Sequence, residues 1–326
     1  MIEYPKPTVV ISSCIEFEHV RYDGQIIRSP FVKQLLPFIE PITVCPEIGI
    51  GLGVPRETLR LVKVKDVTRL AQPSTGKDFK EDMTRFSEEF LGSLEVVDGF
   101  ILKSRSPSSA FRDAKIYAGE RNAPRIGKGP GVFGEAVLDR FSHLALEDEG
   151  RLRNGRIREH FLRKLYTLTR FREAKETLKL GELISFHTEN KLLLKAYNQK
   201  ELRMLGRIVA NHEKLSIEEV YDNYAEHLYL ALRRGPRCPS IINVLTNSMG
   251  YLSELAMEEK NMFLDYLEKY RKGKLPLVSP MSIMVSWITR FHEEYLGNQT
   301  FFNPYPEELM TIEAVLEACD AKDYWI

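Results

Sequence analysis

Cys45, Glu47 and Arg56 lie within about a dozen residues of one another in the stretch VCPEIGIGLGVPRE, Val44 to Glu57. A thiolate can bind a soft metal or attack carbon, a carboxylate can move a proton, and a guanidinium can hold an anion in a fixed fork. The apolar run Pro41 to Val44 reads as a strand that delivers Cys45 onto a turn, because Pro46 cannot donate to a ladder. Gly49, Gly51 and Gly53 follow, and they let the backbone bend sharply or approach a ligand. The same residues also read as a Gly/Pro loop around a buried thiol. They do not spell a dinucleotide fingerprint, since the spacing is wrong and Pro55 follows.

Other strand ends supply comparable chemistry. Val9 to Ser13 reads as a buried strand that ends at Cys14, and parallel strands would place Cys14 and Cys45 on one sheet edge, where such folds bind ligands. A third strand, Phe100 to Leu102, runs into Lys103, Ser104, Arg105, Ser106, Pro107, Ser108 and Ser109, a cationic, hydroxyl-rich loop. Between these lie an Asp-Gly turn in VRYDG and a helix over Ser29–Phe38 with Ser29 as cap and Pro30 at its first position. Leu59–Val67 reads as a half-exposed strand, and the spacing of Phe79, Met83, Phe86 and Phe90 reads as a helix with one core face. Ala123–Ala136 gathers glycine and proline around Arg125 and Lys128 as a loop suited to phosphate, ahead of a helix over Gly134–Phe141. The pattern predicts a Rossmann-like α/β domain with a largely parallel sheet over residues 1–148.

LEDEGRLRNG, Leu146 to Gly155, reads as the linker, and the pattern from Ile157 onward is helical. Helices are expected near Glu182–Tyr197, Glu201–Asn211, Ile217–Leu232, Ile241–Tyr251, Glu258–Tyr270 and Met281–Leu296, giving an all-α domain over 149–326. Arg151 to Arg207 holds fifteen Lys/Arg against six Asp/Glu, a net of +9, interleaved with Tyr166, Phe171, Phe186, His187 and Tyr197. Cations and rings in that mixture suit an RNA backbone and its bases, although basic helix faces are often simply solvated. The whole chain of 326 residues balances 46 basic against 46 acidic residues, so bulk charge points to neither nucleic acid nor membrane. No apolar run approaches the roughly 18 residues of a membrane span, which predicts a soluble, cytoplasmic protein with no membrane partner. Cys14, Cys45, Cys238 and Cys319 form no CxxC pair and are expected as reduced thiols or metal ligands rather than disulfides.

SSC ending at Cys14, RYDG from Arg21, CPEIGIGLGVPR from Cys45 and LKSRSPSSA from Leu102 together resemble the thiouracil desulfidase (TudS) family across roughly the first 145 residues. The resemblance implies a four-iron four-sulfur cluster held by three cysteines, with one iron open to the sulfur of a thiolated pyrimidine. Cys14 and Cys45 match two of those ligands, and Ser109 stands where the family has the third, followed by Ala110 in place of glycine. Hard oxygen suits a soft cluster poorly. The departure leaves open a serine-ligated cluster, completion by another residue, an introduced substitution, or a site that has lost desulfidation. The resemblance gives Glu47 the role of acid/base, Ser104 and Ser106 the orientation of base or intermediate, and Arg56, Lys103 and Arg105 the neutralisation of charge or phosphate.

The second half resembles the YbgA-like helical domain through RxHFLRKLY from Arg158, FHTENKLLL from Phe186, YRKGKLPLVSP from Tyr270 and NPYPEEL from Asn303. Asn247 stands where that pattern has histidine. The fused pair is similar to the RudS family, which implies removal of sulfur from 4-thiouridine in tRNA, with the helical half holding the RNA. Arg158, Arg163, Lys164, His187 and Lys191 are the expected phosphate contacts, the last two one helical turn apart. The alternative is a cluster-free RNA- or nucleotide-binding protein in which Ser109 marks the lost ligand.

Overall fold

The computed structural model describes residues 3–65, 67–310, 319, 324 and 325. The chain divides into two units, Lys6–Arg153 and Asn154–Ile326, the latter joined by Met1–Pro5. The expected boundary after residue 148 therefore falls inside the first unit, at the last residue of its final strand.

The first unit runs β1 (Thr8–Ser12), α1 (Pro30–Leu35), β2 (Glu40–Val44), α2 (Pro46–Gly49), β3 (Arg60–Val64), β4 (Val67–Gln72), β5 (Lys77–Asp78), α3 (Lys80–Gly92), β6 (Gly99–Leu102), β7 (Ala114–Tyr117), β8 (Arg125–Gly129), α4 (Val132–Phe141) and β9 (Ala145–Asp148). One sheet has the order β2-β1-β6-β9 and every pair in it is parallel. Val9, Val10, Ile11, Phe100, Ile101 and Leu102 are wholly buried, as strands of a sheet covered on both faces must be. Ser12 pairs with Val44 and Leu102 with Asp148, so Cys14, Cys45, Lys103 and Glu149 all leave the same carboxyl edge. Ser29 caps α1 by accepting from the Val32 amide, and Pro30 opens the helix, as read.

A second sheet, β5-β4-β3-β7-β8, is antiparallel except between β3 and β7, and the sequence reading did not contain it. The single strand expected over Leu59–Val67 is instead β3, Arg60–Val64, after which the chain reverses, with Lys65 in the left-handed region and Val67 opening β4 paired to Val64. Arg125–Gly129 is the edge strand β8 rather than a phosphate loop. A Cβ on Gly129 would sit 3.1 Å from the Ile116 side chain, whereas one on Gly127 would meet nothing within 4 Å. Gly129 thus fills a strand's need for small volume, not a turn's need for freedom.

The second unit runs α5 (Gly155–Thr177), α6 (Leu180–Glu189), α7 (Lys191–Tyr197), α8 (Gln199–Ala210), α9 (Ile217–Ala231), α10 (Cys238–Met249), α11 (Met257–Arg271), α12 (Val278–Arg290) and α13 (Glu294–Gly297). The Asn154 side chain caps α5 by accepting from the Ile157 amide, and Ser216 with Glu219 forms a capping box on α9. The single helix expected over Glu182–Tyr197 breaks at Asn190. That buried amide donates to the Phe186 carbonyl and accepts from Thr300 Oγ1, tying the break to a distant segment. Cys238 and Cys319 form a disulfide with Cα atoms 5.8 Å apart, which corrects the expectation of four free thiols. Their separation of 81 residues gave no local signal of the pairing. No helix among the described residues is long and apolar enough to cross a membrane.

Candidate active site

The carboxyl edge of the parallel sheet opens into a cavity of about 530 Å³ whose wall holds Cys14, Cys45, Glu47, Arg56 and the whole Lys103–Ser109 loop. Cys45 is the cap residue of α2, in extended backbone, and α2 is a single turn that sets Glu47 beside it. Cys14 and Cys45 are both free. Burial, and after it the neighbouring Cys45, push the Cys14 thiol up to about 12. Burial also raises Cys45, against the lowering pull of the Ile48 amide and Arg56. Both thiols are therefore protonated at neutral pH unless a cation joins them.

Glu47 is held on two sides. Arg56 donates to its Oε2 through Nε at 2.7 Å and Nη2 at 2.6 Å, and is itself fixed by donating from Nη1 to the Val20 carbonyl at 2.9 Å. Ser108 donates from Oγ to Glu47 Oε1 at 2.8 Å. Since the Ser108 proton goes to Glu47, the 2.8 Å contact between Ser106 Oγ and Ser108 Oγ must run from Ser106 to Ser108. Ser106 Oγ in turn accepts the amides of Ser108 and Ser109. The result is an ordered file of hydroxyls ending on a carboxylate that lines the cavity.

The loop is braced from outside by α4. Val132 and Gly134 in its first turn, and the cap residue Gly131, donate to the carbonyls of Pro107, Ser108 and Ala110 respectively. A Cβ on Gly134 would lie 2.2 Å from the Ala110 oxygen, so only glycine lets the helix seat there. The start of the loop is clamped by Glu149, which accepts Lys103 Nζ at 2.6 Å, the Ser104 amide at 2.8 Å and Ser104 Oγ at 2.9 Å. Lys103 and Ser104 are thus committed to Glu149 rather than pointing freely at a substrate. Arg105 is the exposed cation of the loop, in the left-handed region, with its amide donated to Asp113.

Sequence reasoning missed Ser108 and Glu149. Ser108 had a signal, being embedded in the serine-rich loop. Glu149 read as part of an acidic linker, and only the pairing of β9 with β6 turns it inward.

Ser109 is buried and lines the cavity with the two thiols. Its neighbours Ser104, Ser106 and Ser108 spend their hydroxyls on hydrogen bonds, whereas the Ser109 hydroxyl has none among the described residues. Among those residues no cluster of three His, Cys, Asp or Glu side chains could hold a metal ion. The three positions therefore offer two sulfur donors and one uncommitted oxygen donor facing one space. Three donors is the number that attaches the cluster implied by the resemblance, with a hard oxygen standing in for the third soft thiolate.

Residues 9–149 match the family model described as 2-thiouracil desulfurase, and residues 191–306 match the one described as a protein of unknown function, DUF1722. The chain joins a thiouracil-desulfurase domain to a YbgA-like one. Among curated proteins it is similar to uncharacterized protein YbgA of Escherichia coli K12, 26% identical over 144 residues, covering 44% of this chain and 84% of that protein. Among solved structures it is similar to a [4Fe-4S]-dependent thiouracil desulfidase, TudS, at 26% identity and a TM-score of 0.37, covering 45% of this chain and 94% of that one.

The YbgA-like unit does not present the expected phosphate contacts as a surface stripe. Arg158, Arg163 and Lys164 are buried on α5, and Arg163 is paired to Glu159 and lies over the Phe301 ring. Tyr166, Phe171 and Phe186 are core, with Phe171 packed on both Phe186 and Tyr224, and are not open to bases. The reason is that α5 buries residues on nearly every side, so its cations are packing elements with apolar stems. His187 is half-buried, with Nδ1 against the Tyr224 hydroxyl at 3.0 Å, and burial lowers its pKa, as does Lys191. The break at Asn190 puts His187 and Lys191 on different helices rather than one turn apart. Asn247 bonds its neighbour Asn243 at the surface. The exposed cations lie elsewhere. Lys200, Arg203 and Arg207 share one face of α8, and neither they nor Lys191 forms a salt bridge among the described residues.

Proposed function

We propose that this chain removes sulfur from a thiolated uridine, with 4-thiouridine in tRNA as substrate. The observation that carries the reading is the convergence of Cys14, Cys45, the uncommitted Ser109 hydroxyl and the braced Glu47 on one cavity of a thiouracil-desulfurase domain. The reaction is a hydrolysis: water adds to the thiocarbonyl carbon, the carbon–sulfur bond breaks, and hydrosulfide leaves as the carbonyl forms. Glu47 takes the proton of the attacking water on Oε1, and Arg56 holds the carboxylate in place through its paired contacts to Oε2. The Ser106–Ser108 file orients that oxygen and supplies hydrogen bonds as charge moves. Arg105 faces the rim, where a nucleotide phosphate would pass. Cys14, Cys45 and Ser109 would hold a four-iron four-sulfur cluster, which when bound supplies a Lewis-acidic iron with affinity for sulfur. The cationic face of α8, which forms no salt bridge among the described residues, supports an RNA substrate over a free base.

The second reading, a cluster-free nucleotide-binding site, is favoured by one observation, the oxygen donor at position 109. Iron and acid-labile sulfide measured after anaerobic reconstitution, on this chain and on Ser109→Cys, separate the two. About four irons per chain in both support the desulfidase reading. Iron only in Ser109→Cys, with thiolated tRNA still bound by the unaltered chain, supports the binding protein.

A further inference from the structure

The outer face of the second sheet carries a charge arrangement that folding does not explain. Lys115 on β7 and Lys128 on β8 are directly opposite partners in an antiparallel pair, so their side chains leave the same face side by side. Both are exposed, and neither forms a salt bridge among the described residues. Like charges placed so oppose pairing. Beyond a register shift between Ile116 and Tyr117, Tyr117 is paired with Arg125, an exposed cation that forms no salt bridge among the described residues. The Arg60 guanidinium, from the next strand, lies 5.0 Å from the centre of the Tyr117 ring. The only acid of the intervening loop with a described role on this face, Glu120, is already paired to Arg69. Three cations without a salt bridge among the described residues, and a ring against a guanidinium, thus share one strand pair in the same unit as the cavity.

We propose that this β7–β8 face is an RNA-contact surface, in which Lys115, Arg125 and Lys128 meet consecutive backbone phosphates and Tyr117 offers a stacking plane. The inference rests on the reading of RNA as substrate and adds a surface to it on the catalytic unit. A polyanion is the partner that fits, because its charges repeat at short intervals and relieve the Lys115–Lys128 repulsion on binding. Stacking on an aromatic ring is tolerant of base identity, so this face grips RNA without selecting sequence.

The test is the salt dependence of binding of unfractionated tRNA to the full chain and to Lys115→Thr/Lys128→Thr, together with melting temperature and turnover of free 4-thiouracil. The inference expects the slope of log affinity against log salt to become shallower by about 2 in the double variant, with weaker binding at every salt concentration. It also expects a melting temperature unchanged or higher, since threonine suits a strand and the repulsion is gone. Turnover of the free base should stay as it was. An unchanged slope with unchanged affinity overturns the surface while leaving RNA as substrate intact. Failure of the unaltered chain to bind tRNA at all refutes the RNA reading, and this surface with it. Equal loss of free-base turnover and tRNA binding would show instead that the pair supports the fold of the site, and would also overturn the inference.

Discussion

Replacing Glu47 with Gln separates chemistry from anchoring, because the structure gives Glu47 both tasks. Its side chain is 14% exposed and that of Arg56 is 6% exposed, so the pair is largely shielded from water. Removing one partner of a buried ion pair typically costs about 3–5 kcal/mol, since the other charge stays behind unpaired. Here the guanidinium keeps the carbonyls of Val20 and Gly53, and glutamine keeps an oxygen for Ser108, which together bring the expected loss to about 2–3 kcal/mol. The rate effect is of another size, because loss of a positioned general base costs about 10²–10⁴-fold in turnover. Arg56→Gln is the control, breaking the same pair with a similar stability loss while leaving the carboxylate and Ser108 in place. Denaturant titration and single-turnover hydrosulfide release, with iron content measured on each protein, read out both terms. Glu47→Gln should lose at least a hundred-fold in rate with its iron retained, and Arg56→Gln about ten-fold or less. Equal rate losses in the two variants, or a Glu47→Gln protein within ten-fold of the parent, would refute the assignment of proton transfer to Glu47.

Asp148, at the end of β9, is raised to about 6 chiefly by burial, against the pull of the Arg151 amide it accepts. A carboxyl raised in the folded state binds its proton there more tightly than in the unfolded chain. Stability therefore falls as pH rises from about 4 to 6, and the cost is fully present at neutral pH. Asp148→Asn should be more stable than the parent by about 2–3 kcal/mol at pH 7, with the gap closing below pH 4; a gap independent of pH would contradict this. Gly134→Ala, forced against the Ala110 carbonyl, should lower stability by about 1–3 kcal/mol and abolish desulfidation together, as α4 lifts off the Ser106–Ser109 loop. Wild-type activity from a well-folded Gly134→Ala protein would show that the brace is unnecessary. Cys238→Ser opens the crosslink over 81 residues and should cost about 2–4 kcal/mol, read as a lower melting temperature that reducing agent no longer shifts.

Those parts of the site that depend on local pattern are legible in the order of residues. Apolar strands ending in Cys14 and Cys45 must share an edge once the strands are parallel, so their convergence was legible from order alone, as was the Gly/Pro turn that carries Glu47. The α/β-then-helical order was legible for the same reason, since hydrophobic period reports local structure. What acts across the chain was not. Glu149 looks like a linker acid until β9 pairs with β6 and turns it onto Lys103 and Ser104. Arg158, Arg163 and Lys164 look like a phosphate-binding stripe until α5 is packed on nearly every side. The second sheet, which sets Lys115 beside Lys128, depends on a hairpin at Lys65 and on Gly129 packing against Ile116, neither of which has a period to read. The disulfide joins two cysteines whose only signal is spatial. Residue type fixes what a side chain can do, whereas register and burial decide which partner it meets, and those follow from contacts between segments far apart in the chain.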